Sequence, residues 1–266
     1  MTAFYLILFL LGLCIGSFLN VLIDRIPKNE SISGRSYCPH CKTRLSWYDL
    51  IPIFSFLILG RRCRYCKKPI SWQYPIVEIT TGLLFLLIFN FSTLGGPALG
   101  WQFLNFLYYL IISCFLVVIF FSDLKYYIIP DKIIYPAIAV SSIWYFVCSI
   151  FFKIYTRYEI LNTIYSAFGA ALFFLLIVLV SRGKWMGVGD VKFAVFMGLL
   201  LGWPNILVAL FLAVFLGAII GLGLIILGKK KLKSEIPFGP FLVTGTFIAM
   251  FWGQKIIEWY FDLLTV

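Results

Sequence analysis

Two sets of side chains in this chain have types and spacings suited to chemistry. Cys38-Pro-His-Cys41 and Cys63-Arg-Tyr-Cys66 form two C-x2-C pairs with twenty-one residues between them. Each such knuckle turns sharply enough to aim two thiolates at one ion. Two of them at this spacing predict a tetrahedral zinc site with Cys38, Cys41, Cys63 and Cys66 as ligands. Four protein ligands leave no open position, so the metal is expected to be structural. Arg61, Arg62, Arg64, Lys67 and Lys68 lie alongside and favour the thiolate form. Cys14, Cys114 and Cys148 lie in apolar runs and read as core residues. The only histidine, His40, sits inside a knuckle and reads as a solvated neighbour, so histidine-based acid–base chemistry is not expected.

The second set is acidic. Acids near long apolar segments are functional candidates by default, because burying a charge is costly. Asp24, Glu78, Asp123, Asp131, Asp190 and Glu258 qualify. Asp123 follows an apolar run in Phe-Phe-Ser-Asp-Leu-Lys, and Asp190 opens one in Gly187-Val-Gly-Asp-Val-Lys192. Two neighbouring carboxylates share a proton, since both cannot ionise easily. The ionised partner can then draw a proton from water while the protonated one polarises a scissile carbonyl. Gly187 and Gly189 would let the backbone approach an extended peptide that a Cβ would obstruct. Other readings stay open on these residues alone. Asp190 could cap its helix, Asp123 could be an ordinary interfacial acid, and the two could serve as relay groups of an ion-coupled transporter. Asp131, after Pro130 and before an apolar run, is adequately explained as a helix start.

The elements that must position these groups are membrane helices. Hydrophobic residues make up 62% of the 266 and charged residues only 12%, far from the roughly 25% charged content of a soluble domain. Lipid must be the main solvent. A span takes about 20 apolar residues, and eight segments qualify: 4–23, 74–91, 103–121, 133–152, 160–180, 191–201, 205–227 and 238–257. The fold class expected is an all-α polytopic membrane protein of about eight transmembrane helices with a small cytosolic four-cysteine loop domain. The first run carries no lysine or arginine before it, so it is not expected to be a removable signal.

Eight spans place loops 24–73, 122–132, 181–190 and 228–237 on one side. With Lys192 counted there, that side holds 19 of the 22 lysines and arginines. Positive charge stays in the cytosol, so this side is cytosolic and both termini lie outside. The same asymmetry accounts for the net charge of +11 without nucleic acid, and no nucleic-acid partner is expected. Asp123, Asp190 and the cysteine loop then share one membrane face. Loop 24–73 is the only segment with the makings of a soluble subdomain.

Taken together, these motifs resemble the type IV prepilin peptidases over nearly the whole chain. Gly16-Ser-Phe-Leu-Asn20-Val comes first, followed by the paired knuckles and Tyr74-Pro-Ile-Val-Glu78. Asp123 with Ile129-Pro-Asp131, Gly187-Val-Gly-Asp190-Val-Lys192 and Ile236-Pro-Phe-Gly-Pro240 complete the series. The resemblance implies a Gly-x-Gly-Asp aspartic peptidase of the bacterial inner membrane, with Asp123 and Asp190 on its two catalytic positions. Its substrates would be type IV prepilins or pseudopilins, cleaved after Gly on the cytosolic side. The cysteine loop implies a second activity, N-methylation of the new N-terminus with S-adenosylmethionine. Glu78 and Gly82 match an element of that region but are given no contact, and the methyl-donor site stays unassigned. The expected division is 1–23 as first span, 24–73 as zinc loop, about 1–91 as methyltransferase region and 92–266 as peptidase domain. Phe121-Ser122 before the first aspartate and Lys125-Tyr126-Tyr127 after it depart from the family pattern.

Overall fold

A computed structural model describes residues 2–92, 99–151, 156–184, 186–228 and 236–264. Lys153 and the basic stretch 229–235, both used in the charge count, lie outside the described residues. The described residues form α1 (Thr2–Arg25), a 3-10 turn (Trp47–Leu50), α2 (Phe54–Ile58), α3 (Gln73–Ser92), α4 (Leu99–Tyr126) and α5 (Asp131–Phe151). Then come α6 (Arg157–Ser181), α7 (Val188–Leu201), α8 (Asn205–Ile226) and α9 (Gly239–Leu264). No strand occurs among them. Two isolated bridges, Tyr37 with Arg44 and Arg62 with Pro69, are the only extended pairings described.

All eight expected segments are helical, but six rather than eight are long and apolar enough to cross a membrane by length and composition. The two that fall short do so for different reasons. Helix α7 has only 14 residues. Helix α9 is long enough, but Gln254, Lys255 and Glu258 interrupt its second half. Two boundaries also move. Helix α4 runs on to Tyr126, so Asp123 lies in its last turns rather than after it. Helix α7 starts at Val188, which puts Asp190 third in the helix.

The chain divides into two compact units, Met1–Phe121 and Ser122–Val266. In the first, α1 and α3 pack along their length. Small residues let the backbones meet: a Cβ on Gly12 would lie 2.6 Å from the Gly82 Cα, and one on Gly16 would lie 2.7 Å from the Glu78 Cα. Between lipid-exposed helices such close packing substitutes for a hydrophobic driving force. Asn20 ties the same pair together at one end, its side-chain amide donating to the Tyr74 carbonyl at 3.1 Å.

In the second unit α7 is the central element, packed against α5, α6, α8 and α9. It is apolar on every side, as a helix enclosed by others must be. Phe193, Ala194, Phe196 and Met197 are fully buried. Gly198 lets α7 touch α6, since a Cβ there would sit 2.3 Å from the Ala167 Cα. Gly198→Ala therefore forces the two backbones apart, and a cost of about 1–3 kcal/mol is expected. A lower thermal midpoint in detergent, with α-helical content retained, checks it.

Candidate active site and metal centre

Three helix ends of the second unit meet around the acids. Asp123, in the final turns of α4, is 6% exposed. Its Oδ2 accepts a hydrogen bond from the backbone N–H of Gly239 at 2.8 Å, where α9 begins. An amide at a helix start has no intrahelical acceptor, so α9 offers it to the carboxylate. Gly239 is required there: an added Cβ would lie 2.6 Å from Asp123 Oδ2 and 2.9 Å from its Cγ. The sequence placed Gly239 in a family motif but gave it no role. Only the folded contact between residues 116 apart reveals one.

Asp190 turns back on its own helix start, with Oδ2 accepting from the Gly187 N–H at 3.2 Å. Helix capping is thus part of what this side chain does. It is not all, because Asp123 lies near enough to act on Asp190 electrostatically. The two acids expected to pair are brought into electrostatic range. Each uses Oδ2 for a backbone amide, and neither Oδ1 accepts a hydrogen bond among the described residues. Those oxygens are the ones left to handle water or a carbonyl. The Ser122 hydroxyl beside Asp123 is also buried and has no partner among the described residues.

The neighbouring glycines divide their work. A Cβ on Gly187 would meet nothing closer than 3.9 Å, so its surface is open to an approaching chain. A Cβ on Gly189 would come within 3.2 Å of the Ile129 Cβ, so this glycine serves packing inside the protein rather than peptide approach. Asp131 is more than a helix start. It accepts a 2.6 Å hydrogen bond from Lys192, two residues beyond Asp190, and Lys192 also lies 5.1 Å from the Tyr135 ring centre. This exposed ion pair links the start of α5 to the start of α7. Sequence reading missed it because residues 131 and 192 have no local relation.

The four cysteines converge in the first unit. Their sulfurs all lie within 4.8 Å of one another. The Cys38 and Cys66 sulfurs are 3.9 Å apart. A tetrahedron with Zn–S bonds of about 2.3 Å has edges of about 3.8 Å, so the donor set fits a zinc-sized ion. The two knuckles repeat one design. Cys38 N–H donates to the Thr43 carbonyl and Cys63 N–H to that of Lys68. Lys42 and Lys67 each adopt φ 58° at the fifth position. The flanking bridges fall at matching offsets. Hydrogen bonds from Thr43 lower the Cys41 thiol to about 6. A backbone hydrogen bond involving Lys68 lowers Cys66 as well, but desolvation and the Cys63, Cys41 and Cys38 sulfurs outweigh it and hold Cys66 at about 11. Four crowded sulfurs cannot all ionise without a cation to balance them. His40 is exposed, as expected of a neighbour rather than a ligand.

Fold and site together define a multi-pass membrane protein with a carboxylate pair at helix ends and a separate closed four-sulfur centre. The bacterial Peptidase A24 N-terminal domain matches residues 10–91, and the type IV leader peptidase family matches residues 110–222. The chain is 32% identical to the prepilin leader peptidase/N-methyltransferase of Aeromonas hydrophila, over 97% of this chain and 93% of that protein. It is 31% identical to the protein of that name from Legionella pneumophila, over 96% and 94%. For the Bacillus subtilis relative the values are 29%, 97% and 98%. No solved structure matches it. The chain belongs to the type IV leader peptidase family, and it is a multi-pass inner membrane protein. Nothing in these relationships supports an ion-coupled transporter.

Proposed function

We propose that this protein removes the leader of type IV prepilins or pseudopilins after Gly, at the cytosolic face, and then N-methylates the new N-terminus. The observation that carries the peptidase reading is the acid pair itself. Two carboxylates on different helices lie in electrostatic range, each steadied by one backbone amide and each with one oxygen uncommitted. With one proton shared between them, the ionised member takes a proton from water and the protonated member donates to the scissile carbonyl. Collapse of the resulting tetrahedral adduct returns a proton to the leaving amine. Asp123 and Asp190 are assigned this role, and the open face at Gly187 is where the substrate backbone would pass.

Residues about 1–91 are assigned to methyl transfer, with 24–73 as its metal-binding loop, and 92–266 to the peptidase. The relatives' name implies S-adenosylmethionine as donor of an electrophilic methyl group, and no residue of this chain is assigned to hold it. The positive-inside asymmetry supports a cytosolic acid pair and cysteine loop, with both termini outside. Mass spectrometry of a prepilin co-expressed with this protein tests both activities at once. Leader loss together with one methyl increment is expected. An unprocessed prepilin, with the enzyme folded and membrane-inserted, would overturn the reading.

The metal assigned to Cys38, Cys41, Cys63 and Cys66 is Zn2+ in a structural role. Purified protein is expected to carry one zinc per chain, and Cys38→Ser or Cys63→Ser to lose it. Protons and zinc compete for the same sulfurs, so retention falls as pH falls. The first unit is expected to unfold earlier, and methylation to decline before peptide cleavage does. Elemental analysis finding no zinc while all four thiols remain reduced would count against the assignment.

A further inference from the structure

Loop 24–73 reads from sequence as a soluble subdomain, yet part of it carries a dense apolar surface. Trp47, Ile51, Phe54, Leu57, Ile58 and Trp72 are between 39% and 79% exposed. The depth of this surface is fixed by one hydrogen bond. The Ile53 N–H, just before α2, donates to Glu78 Oε2 at 2.8 Å. Glu78 is five residues inside α3, which begins at Gln73, so the bond lies about 7.5 Å in from that end of the helix. Ser17 of α1 also lies beside Glu78, next to Gly16, where an added Cβ would come within 2.7 Å of the Glu78 Cα. Ser17 precedes the last residue of α1 by eight positions, or about 12 Å. Both α1 and α3 are long and apolar enough to span. Residues tied to Glu78 therefore sit well inside the level at which those helices end.

The rest of the segment closes the same geometry. Helix α2 has five residues and so is about 7.5 Å long, comparable with the depth at which Ile53 is tied. Phe56, on its inner side, is buried and stands 5.1 Å from the Trp72 ring. Trp72 immediately precedes α3 and carries Arg61 over its face at 5.1 Å. A tryptophan at a helix start with a cation beside it marks the headgroup level. Ile53 has φ 61°, a conformation that a β-branched residue rarely adopts. Its amide would be unsatisfied at this depth without the Glu78 carboxylate, and lipid does not tolerate an unsatisfied backbone group. The exposed side chains of α2 then face acyl chains, Arg61 and Arg62 follow at the level of lipid phosphates, and Arg64 turns back to neutralise Asp49 at 2.8 Å.

We propose that residues 47–58 form a re-entrant interfacial element that dips into the bilayer between its headgroups and acyl chains, pinned at that depth by the Ile53–Glu78 hydrogen bond. The metal-binding knuckles are thereby held against the membrane rather than hanging free of it. Glu78 is in this account a positioning residue. Neither point depends on the catalytic reading.

Photo-cross-linking of the full-length protein in nanodiscs of phosphatidylethanolamine and phosphatidylglycerol tests the proposal. Benzoylphenylalanine replaces Phe54 or Ile58 in two variants and Lys67, on a knuckle, in a third. Lipid adducts at 54 and 58 several-fold above those at 67 are expected after illumination. Adducts to a second copy of the chain instead, or a lipid yield at 58 no higher than at 67, would overturn it. Glu78→Leu in the Ile58 variant should bring its lipid yield down to the Lys67 level. Glu78→Gln retains an acceptor oxygen and should keep the yield, which guards against simple misfolding. Loss of yield in the Gln variant with retained thermal stability would overturn the pinning role.

Discussion

Asp123→Asn and Asp190→Asn should each lower prepilin cleavage by about 10²–10⁴-fold, the usual contribution of a positioned acid or base. Asn is the informative replacement. Its side-chain carbonyl can still accept from the Gly239 N–H at position 123, or from the Gly187 N–H at position 190, so local structure persists. Only the ability to exchange a proton is removed. If these carboxylates merely capped helix starts, the Asn variants would retain activity. The doubly substituted enzyme should be little worse than either single variant, because the two groups act as a unit. Ala variants should be as inactive. Activity should fall on both sides of an optimum: in acid as the ionised partner gains a proton, in alkali as the shared proton is lost. Quantifying processed and unprocessed prepilin by mass spectrometry after a timed reaction reads all of these. Near-normal turnover in either single variant would remove the pair from the mechanism. Asp131→Asn is the contrasting case. It breaks only an exposed pair with Lys192, a loss of about 0–1 kcal/mol, and cleavage should stay within a few-fold of the parent.

Gly239→Ala is the second large effect expected, and it leaves both acids in the sequence. The new methyl group would lie 2.6 Å from Asp123 Oδ2 and 3.1 Å from its Cβ. The Asp123 side chain is buried and hydrogen-bonded, so it cannot swing clear into solvent. Either α9 retreats or the carboxylate moves, and the Gly239 N–H bond is stretched in both cases. A displacement of about 1 Å at a catalytic group costs on the order of 10²-fold in rate. The loss should appear in kcat more than in KM, since no surface that binds the pilin helix is altered. Methylation of a synthetic peptide that already ends in the mature N-terminus should continue. An Ala variant with full cleavage rates would show that the Asp123–Gly239 contact does not hold the working geometry.

The membrane character, eight helical segments and the four-cysteine centre were all legible in the sequence. They rest on signals that are local or compositional. A run of about 20 apolar residues has no other stable solvent than lipid, and a C-x2-C knuckle carries its own turn geometry. The two acids stood out through topology, because loop charge assigned Asp123 and Asp190 to one face. Helix limits were less so. Asp123 and Asp190 both fell inside helices expected to stop short of them, since a helix end depends on what receives its last polar groups.

What only the tertiary structure decided are contacts between chain positions that no spacing rule connects. Gly239 supplies the amide that steadies Asp123, and Lys192 takes Asp131 as its partner. Gly189 is taken up by Ile129 while Gly187 stays open. Glu78, quoted from sequence as a motif residue without a role, holds the Ile53 amide at the start of α2. The sequence by itself singled out two acids and four cysteines as candidates and, through its charge asymmetry, assigned them to one membrane face. Periodicity and charge act along the chain, and these reach no farther than a helix and its flanks. The partner of each buried polar group is chosen by packing between helices, because only there is an amide or carboxylate cut off from water and compelled to find another.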